Sequence, residues 1–266
     1  MFSAVPHSVW YSKWYNPWAS PAGRVTSEVV VDDITDRIAF DIVTGVYAPG
    51  DRLPSVRAMA AQYDINPSTV QVVLARLRTL GFVESARGIG TVVRDVELYG
   101  GIDTWRYVFR FAQGLPERAT KMFEGFLATR RMLILGVARN IDPAAPPPDL
   151  RPLRRAVDKL AMLVEAEAPL EDVARAELQA ARIMMQALDQ PVLLALYNSV
   201  GEILLEVPAV LEAMYTDPSV NLALFNQLIA TWKEGNLTAE GIVRAETLLV
   251  RHHEACVARF RQALER

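Results

Sequence analysis

The chain has 266 residues, 51% apolar and 22% charged, with a formal net charge of −3, an ordinary globular composition with material for one large domain or two modest ones. That charge does not advertise a polyanion binder, so a nucleic-acid surface must come from local sorting of charge. A single cysteine, Cys256, excludes a disulfide framework, and three histidines (His7, His252, His253) make a histidine-rich metal centre hard to build.

Residues 1–23 read as an aromatic arm. Trp10, Trp14 and Trp18 recur every four residues with Tyr11 and Tyr15 between them, a ridge expected to pack on its own chain or on a partner. The segment lacks the basic start and aliphatic core of a secretory signal. No apolar run approaches the roughly 18–20 residues of a membrane span, so a cytoplasmic protein with no membrane partner is expected.

Residues 24–96 read as a compact mixed unit. Ile34, Ile38 and Ile42 form an apolar stripe on a helix from about Ser27 to Thr44, ended by Gly45 and Ala48-Pro49-Gly50. Ser55 is an N-cap for a short helix from Val56 to about Tyr63. Asp64-Ile65-Asn66-Pro67 is a turn, and Pro67 opens a third helix to Leu80, with Val70, Val73, Leu74 and Leu77 on one face and Gly81 as its stop. Phe82–Arg87 and Thr91–Arg94 are predicted strands joined by Gly88-Ile89-Gly90. Helix, helix, turn, helix, hairpin is a winged helix-turn-helix. Its third helix would offer Asn66, Ser68, Thr69 and Gln71 to a major groove, and the thin tip would carry Arg87 beside Gly88 and Gly90.

Charge is sorted within this unit. Residues 28–51 hold six acids and one arginine; residues 52–94 hold six arginines, no lysine and two acids. Arginine suits bidentate contact with phosphate and guanine. Singly, Arg57 also fits an ion pair to the acidic first helix, and the two glycines fit a plain turn.

Several blocks agree in order and spacing: Pro49-Gly-Asp-Arg-Leu-Pro-Ser-Val-Arg-Ala-Met-Ala60, Ile65-Asn-Pro-Ser-Thr-Val70, Leu80-Gly-Phe-Val83 and Arg87-Gly-Ile-Gly-Thr-Val-Val93. In these the chain resembles the GntR family of bacterial transcription regulators over roughly seventy residues. The resemblance implies DNA contact by Arg57, by the start of the third helix and by the wing. Arg52, Ser55 and Arg76 complete the expected set. The family usually has glutamate where Val56 stands, and often arginine where Pro67 and Gln71 stand, so its usual operator preference does not carry over.

Residues 97–103, with Gly100 and Gly101, read as a linker, and 104–266 as an all-helical bundle for effector binding and dimerisation. The fold class is therefore mostly α. Periodicity places helices near 103–113, 116–140, 150–165, 169–188, 191–213, 217–234 and 238–264. Breaks fall at the Pro143–Pro148 loop, Asp189-Gln-Pro191, Asp217-Pro218 and Gly235-Asn236. Glu177-Leu-Gln-Ala-Ala-Arg-Ile-Met-Met-Gln-Ala187, followed by Asp189-Gln-Pro191, resembles the FadR-type subfamily, whose helical domain binds an effector and shapes a dimer.

Many members of that subfamily hold a metal through Asp-x-x-x-His and two later histidines. Here Glu177 and Ala181 stand at the first pair, Phe225 stands where the next histidine is expected, and only His252 or His253 matches the last, so no metal and no other cofactor is predicted. The cavity is then expected to be apolar and lined by Met184, Met185, Leu188, Tyr197, Leu204, Phe225, Leu228 and Trp232, with Glu177, Ala181 and His252 at its edge. The fatty-acyl-CoA-responsive regulator that names the subfamily also lacks the metal ligands. The resemblance therefore implies a homodimer on double-stranded DNA with an acyl-CoA or another small apolar acid as effector. An effector-blind DNA-binding and dimerisation protein is the alternative. There is no nucleophile–base signature and no phosphate loop, so an enzyme is not expected. Asn236-Leu-Thr238 fits a glycosylation sequon, which has no meaning in a cytoplasmic protein.

Overall fold

The structure is a computed structural model that describes residues 27–139, 148–234 and 238–266. The aromatic arm, most of the proline loop and Gly235-Asn236 lie outside the described residues. The chain divides into two compact units, Met1–Leu115 and Pro116–Arg266.

In the first unit α1 spans Ser27–Val43, α2 Val56–Tyr63 and α3 Pro67–Thr79, followed by β1 Val83–Ala86 and β2 Gly90–Val93. The apolar stripe of α1 is buried at Ile34, Ile38 and Ile42, and α1 packs on α3, whose Val70, Val73 and Leu77 are buried as well. Each such side chain contributes about 1.5–3 kcal/mol on burial. Thr44 donates its hydroxyl to the Phe40 carbonyl at 2.8 Å as α1 ends. Ser55 caps α2, its Oγ accepting from the Ala58 amide at 3.2 Å. The strands pair antiparallel with Val83 opposite Val93 and Ala86 opposite Gly90.

This unit runs past the span expected as a linker. Asp95 accepts from the Glu97 and Leu98 amides and so starts a one-turn helix, α4 (Val96–Tyr99), which the hydrophobic periodicity did not suggest. After Gly100-Gly101 the chain enters α5 (Ile102–Arg110), which packs on the head. Thr104 donates to the Leu80 carbonyl at 2.5 Å, and the Tyr107 ring meets Phe82 edge-on at 5.2 Å. Gly81 permits this approach. Its φ is +84° and a Cβ there would lie 3.0 Å from the Thr104 hydroxyl. Arg110 pairs with Asp36 of α1 at 2.8 Å.

The second unit contains, among the described residues, seven helices: α6 Pro116–Arg139, α7 Arg151–Glu165, α8 Leu170–Ala187, α9 Pro191–Glu206, α10 Pro208–Tyr215, α11 Ser219–Glu234 and α12 Ala239–Leu264. α8 packs on α7, α9 and α10, and α12 packs on α6 and α10. Phe123, Leu178, Met214, Ile229, Leu249 and Phe260 are fully buried between them. The single helix expected over 191–213 is two. Val207 is extended (φ −115°, ψ 102°), because the ring of Pro208 disfavours the helical conformation in the residue before it. No described helix is long and apolar enough to cross a membrane.

Candidate nucleic-acid surface and helical-domain cavity

In the first unit α2 packs on α3; Met59 of α2 and Val70 and Leu74 of α3 are buried, while the first turn of α3 is largely exposed. Asn66 precedes α3 and its side chain makes no capping bond, while Pro67 at the helix start has no N–H to leave unpaired. Asn66, Ser68 and Gln71 are exposed and Thr69 is half-buried. Arg57, on α2, is also exposed. The unpaired amides at the start of α3 add a partial positive charge to this surface.

The wing tip carries exposed Arg87, Gly88 and Ile89. Gly88 and Gly90 hold φ values of +77° and +113°, conformations that glycine takes without a Cβ penalty. The tip closes with the Ile89 amide donating to the Ala86 carbonyl at 3.0 Å.

Three residues of the expected contact set are engaged within the fold. The Arg52 guanidinium donates to the Ile89 carbonyl and so ties the wing tip to the segment before α2. Arg76 pairs with Asp32 of α1. Ser55 caps α2. Arg78 was not singled out, and it donates to Ser85 Oγ at 2.7 Å, linking α3 to β1.

The second unit holds two adjoining cavities of about 120 and 260 Å³. Met184, Met185, Tyr197 and Leu228 line both; Leu188 lines the smaller, and Glu177, Ala181 and Phe225 the larger. His252 lines neither. Its Nε2 lies 3.5 Å from Cys256 Sγ, one helical turn on, so the ring packs along α12. The side chains of Leu204 and Trp232 lie outside the described residues.

Arg130 and Asn221 are among the cavity residues that sequence reasoning missed. Arg130 Nη2 donates to Glu177 Oε1 at 2.6 Å, with the two side chains 9% and 1% exposed. Asn221, and not Phe225, reaches the other carboxylate oxygen, its Nδ2 donating to Oε2 at 3.3 Å. Burial opposes the charge on Arg130, but Glu177, with smaller help from Tyr197, holds its pKa above the usual arginine value. Tyr197 is pushed up to about 12, by burial first and then by Glu177. Burial, then the Arg130 charge, pushes His252 down to about 4 and His253 to about 3, so both rings are neutral at physiological pH.

These residues do not fit the metal of the FadR-type pattern. A guanidinium already neutralises the carboxylate, an alanine stands one turn on, and an amide holds the second oxygen. Among the described residues no group of three His, Cys, Asp or Glu could hold an ion.

A solvent-facing helix start backed by a glycine-turned, arginine-bearing hairpin is a winged helix-turn-helix, a nucleic-acid-reading class. Residues 30–93, within the first unit, match the family model for bacterial regulatory proteins of the gntR family. Among curated proteins, the chain is 40% identical over 70 residues to the HTH-type transcriptional regulator YhcF of Bacillus subtilis, covering 26% of this chain and 58% of YhcF. It is 37% identical over 87 residues to Mce2R of Mycobacterium tuberculosis, covering 32% and 36% of the two chains. A longer alignment, 28% identical over 168 residues, joins it to LutR of Bacillus subtilis and covers 62% and 71%. These relatives are transcriptional regulators, not enzymes. The first four relatives are matched over 28–58% of their own length. Among solved structures, a Streptococcus agalactiae GntR is similar with TM-score 0.40 and 17% identity, covering 86% of this chain and 99% of that one.

Proposed function

We propose that the chain is a ligand-responsive bacterial transcriptional regulator that binds operator DNA as a homodimer. The observation that carries this is the GntR domain with its α3 start and wing tip turned to solvent. Asn66, Ser68, Thr69 and Gln71 meet base edges and phosphates in the major groove, Arg57 clamps a phosphate, and Arg87 enters the neighbouring minor groove. Two such heads on one palindromic site multiply affinity and specificity. The effector sits in the cavities of the helical unit, whose Met-rich walls adapt to an irregular apolar ligand. Their size, about 120 and 260 Å³, suits a small apolar acid better than a whole acyl-CoA. Its binding shifts the equilibrium between DNA-competent and incompetent arrangements of the dimer.

Fluorescence anisotropy tests the DNA-binding part. The probe is DNA flanking the protein's own gene, with scrambled DNA as control, across a salt series. The expected result is specific binding that weakens steeply with salt and falls at least tenfold in Arg57→Ala. Equal affinity for both DNAs, unchanged by Arg57→Ala, overturns the reading of α2, α3 and the wing as an operator reader.

A further inference from the structure

We propose that Val72 of α3, with Ala75 beside it, reads thymine methyl groups in the major groove next to an adenine held by Gln71, so that the stretch of operator under α3 is written in A·T pairs. This rests on the reading of α3 as the operator-reading helix, and it adds the residue that selects among bases and the bases that it selects.

Val72 is out of place by the rules of folding alone. It is 54% exposed, whereas Val70, Val73, Leu74 and Leu77 of the same helix are buried. A β-branched residue in a helix interior loses side-chain freedom, and here no burial offsets that cost. A local rule broken without a return inside the fold marks a residue that serves something outside it.

Helical spacing puts Val72 on a stripe with Ser68, Ala75 and Thr79, opposite the buried face, and Gln71 stands at its edge. All five are exposed. The Thr79 hydroxyl turns back on the helix and donates to the Ala75 carbonyl at 3.1 Å. The arginines of α3 flank the stripe and turn to neighbouring elements, Arg76 to Asp32 of α1 and Arg78 to Ser85 Oγ of β1. Among these described residues the stripe therefore carries no ionised side chain.

That composition decides which bases the stripe can read. In the major groove guanine is matched by Arg or Lys, cytosine by Asp or Glu, adenine by Asn or Gln, and the thymine C5-methyl by apolar contact. The partners of guanine and cytosine are missing from the stripe. Those of adenine and thymine are present, in the amide of Gln71 and the methyl groups of Val72 and Ala75, while the Ser68 hydroxyl does not discriminate. Asn66, exposed just before the helix, is a second partner for adenine. The wing agrees with this. The exposed Arg87 at its thin tip suits the narrow minor groove of an A·T-rich duplex.

The full chain is used to select sites from a randomised duplex library, and the selected duplex is remade with deoxyuridine in place of one thymine at a time. That swap removes the C5-methyl and leaves every hydrogen-bonding group in place. The expected result is a site with A·T pairs in which at least one deoxyuridine weakens binding about fourfold, the worth of one buried methyl. Val72→Ala is a change at an exposed position that leaves the fold intact, and it should bind the thymine and deoxyuridine duplexes alike. Selection repeated with Gln71→Ala should relax one adenine to any base. A deoxyuridine penalty that persists in Val72→Ala, or no penalty at any thymine, would overturn Val72 as a thymine reader while leaving α3 as the operator-reading helix. A site specified by G·C pairs alone would overturn the A·T assignment in the same way. An unchanged consensus with Gln71→Ala would overturn the adenine contact. Selection of no duplex above the starting library would overturn the operator-reading role of α3 and this inference together.

Discussion

Arg130 and Glu177 stand 47 residues apart in sequence and 2.6 Å apart in the fold. Glu177→Gln leaves a buried guanidinium without its counter-charge, and the expected loss is about 3–5 kcal/mol of unfolding free energy. Replacing both residues, Arg130→Met with Glu177→Gln, should recover most of that loss, because neither change then leaves an ion stranded. Urea denaturation of the two variants measures the difference. A double variant no more stable than the single one would show that the pair is held by more than charge compensation. At this scale the sequence was half legible. Glu177 could be picked out from its place before Asp189-Gln190-Pro191. Asn221 was missed by one helical turn in favour of Phe225, since the two share a face of α11 and spacing cannot tell which reaches a carboxylate. Arg130 sits beside Arg131 on a long helix, where two adjacent arginines read as a solvated surface. Only the fold shows that one of them turns inward.

The elements of the head separate two roles that arginine plays there. Arg57 is exposed on α2, whereas Arg52 holds the Ile89 carbonyl at the wing tip. If Arg57 contacts a phosphate, Arg57→Ala lowers the slope of log K against log salt by about 0.9, because one fewer counterion is released. Arg52→Ala should weaken DNA binding with little change in slope, because it loosens the wing rather than removing a phosphate contact. Anisotropy at several salt concentrations distinguishes the two; equal slope changes would make Arg52 a direct contact. The elements themselves were the most legible part of the sequence. α2 begins at Val56 after its Ser55 cap, and α3 begins at Pro67, as their capping residues indicate. Besides α4, two features escaped the periodicity. Apolar residues run without interruption across Val207-Pro208, so the 3.6-residue pattern masks a break that the proline ring imposes. α5 was expected beyond a linker because Gly100-Gly101 resembles a hinge, but Thr104, Tyr107 and Arg110 bind it to the head. Those are tertiary contacts, and no local signal announces them.

Across the whole molecule, the two units carry buried titrating groups of opposite sign, so acid should act on them differently. In the head, burial raises the Asp36 carboxyl to about 6, with Arg110 and Tyr107 opposing the shift only in part. The folded head then holds a proton that the unfolded chain releases. This contribution is fully present below the usual carboxylate value and is lost as pH rises through about 6. Going from pH 7 to pH 5, the head should gain about 1 kcal/mol. In the helical unit His252 and His253 stay neutral when folded but charge near 6.5 when unfolded, their folded values being about 4 and about 3. Unfolding there takes up protons below 6.5, so stability falls with pH, by roughly 2 kcal/mol for each histidine at pH 5. Hydrogen-exchange mass spectrometry, corrected for intrinsic rates, reads the units separately. Protection of α8 and α12 peptides should drop between pH 7 and pH 5 while that of α1 and α3 holds or rises. His252→Gln with His253→Leu should flatten the first trend, and Asp36→Asn the second. Parallel loss of protection in both units, unchanged by these substitutions, would mean that acid acts through the exposed charges of the whole chain and not through these three buried groups.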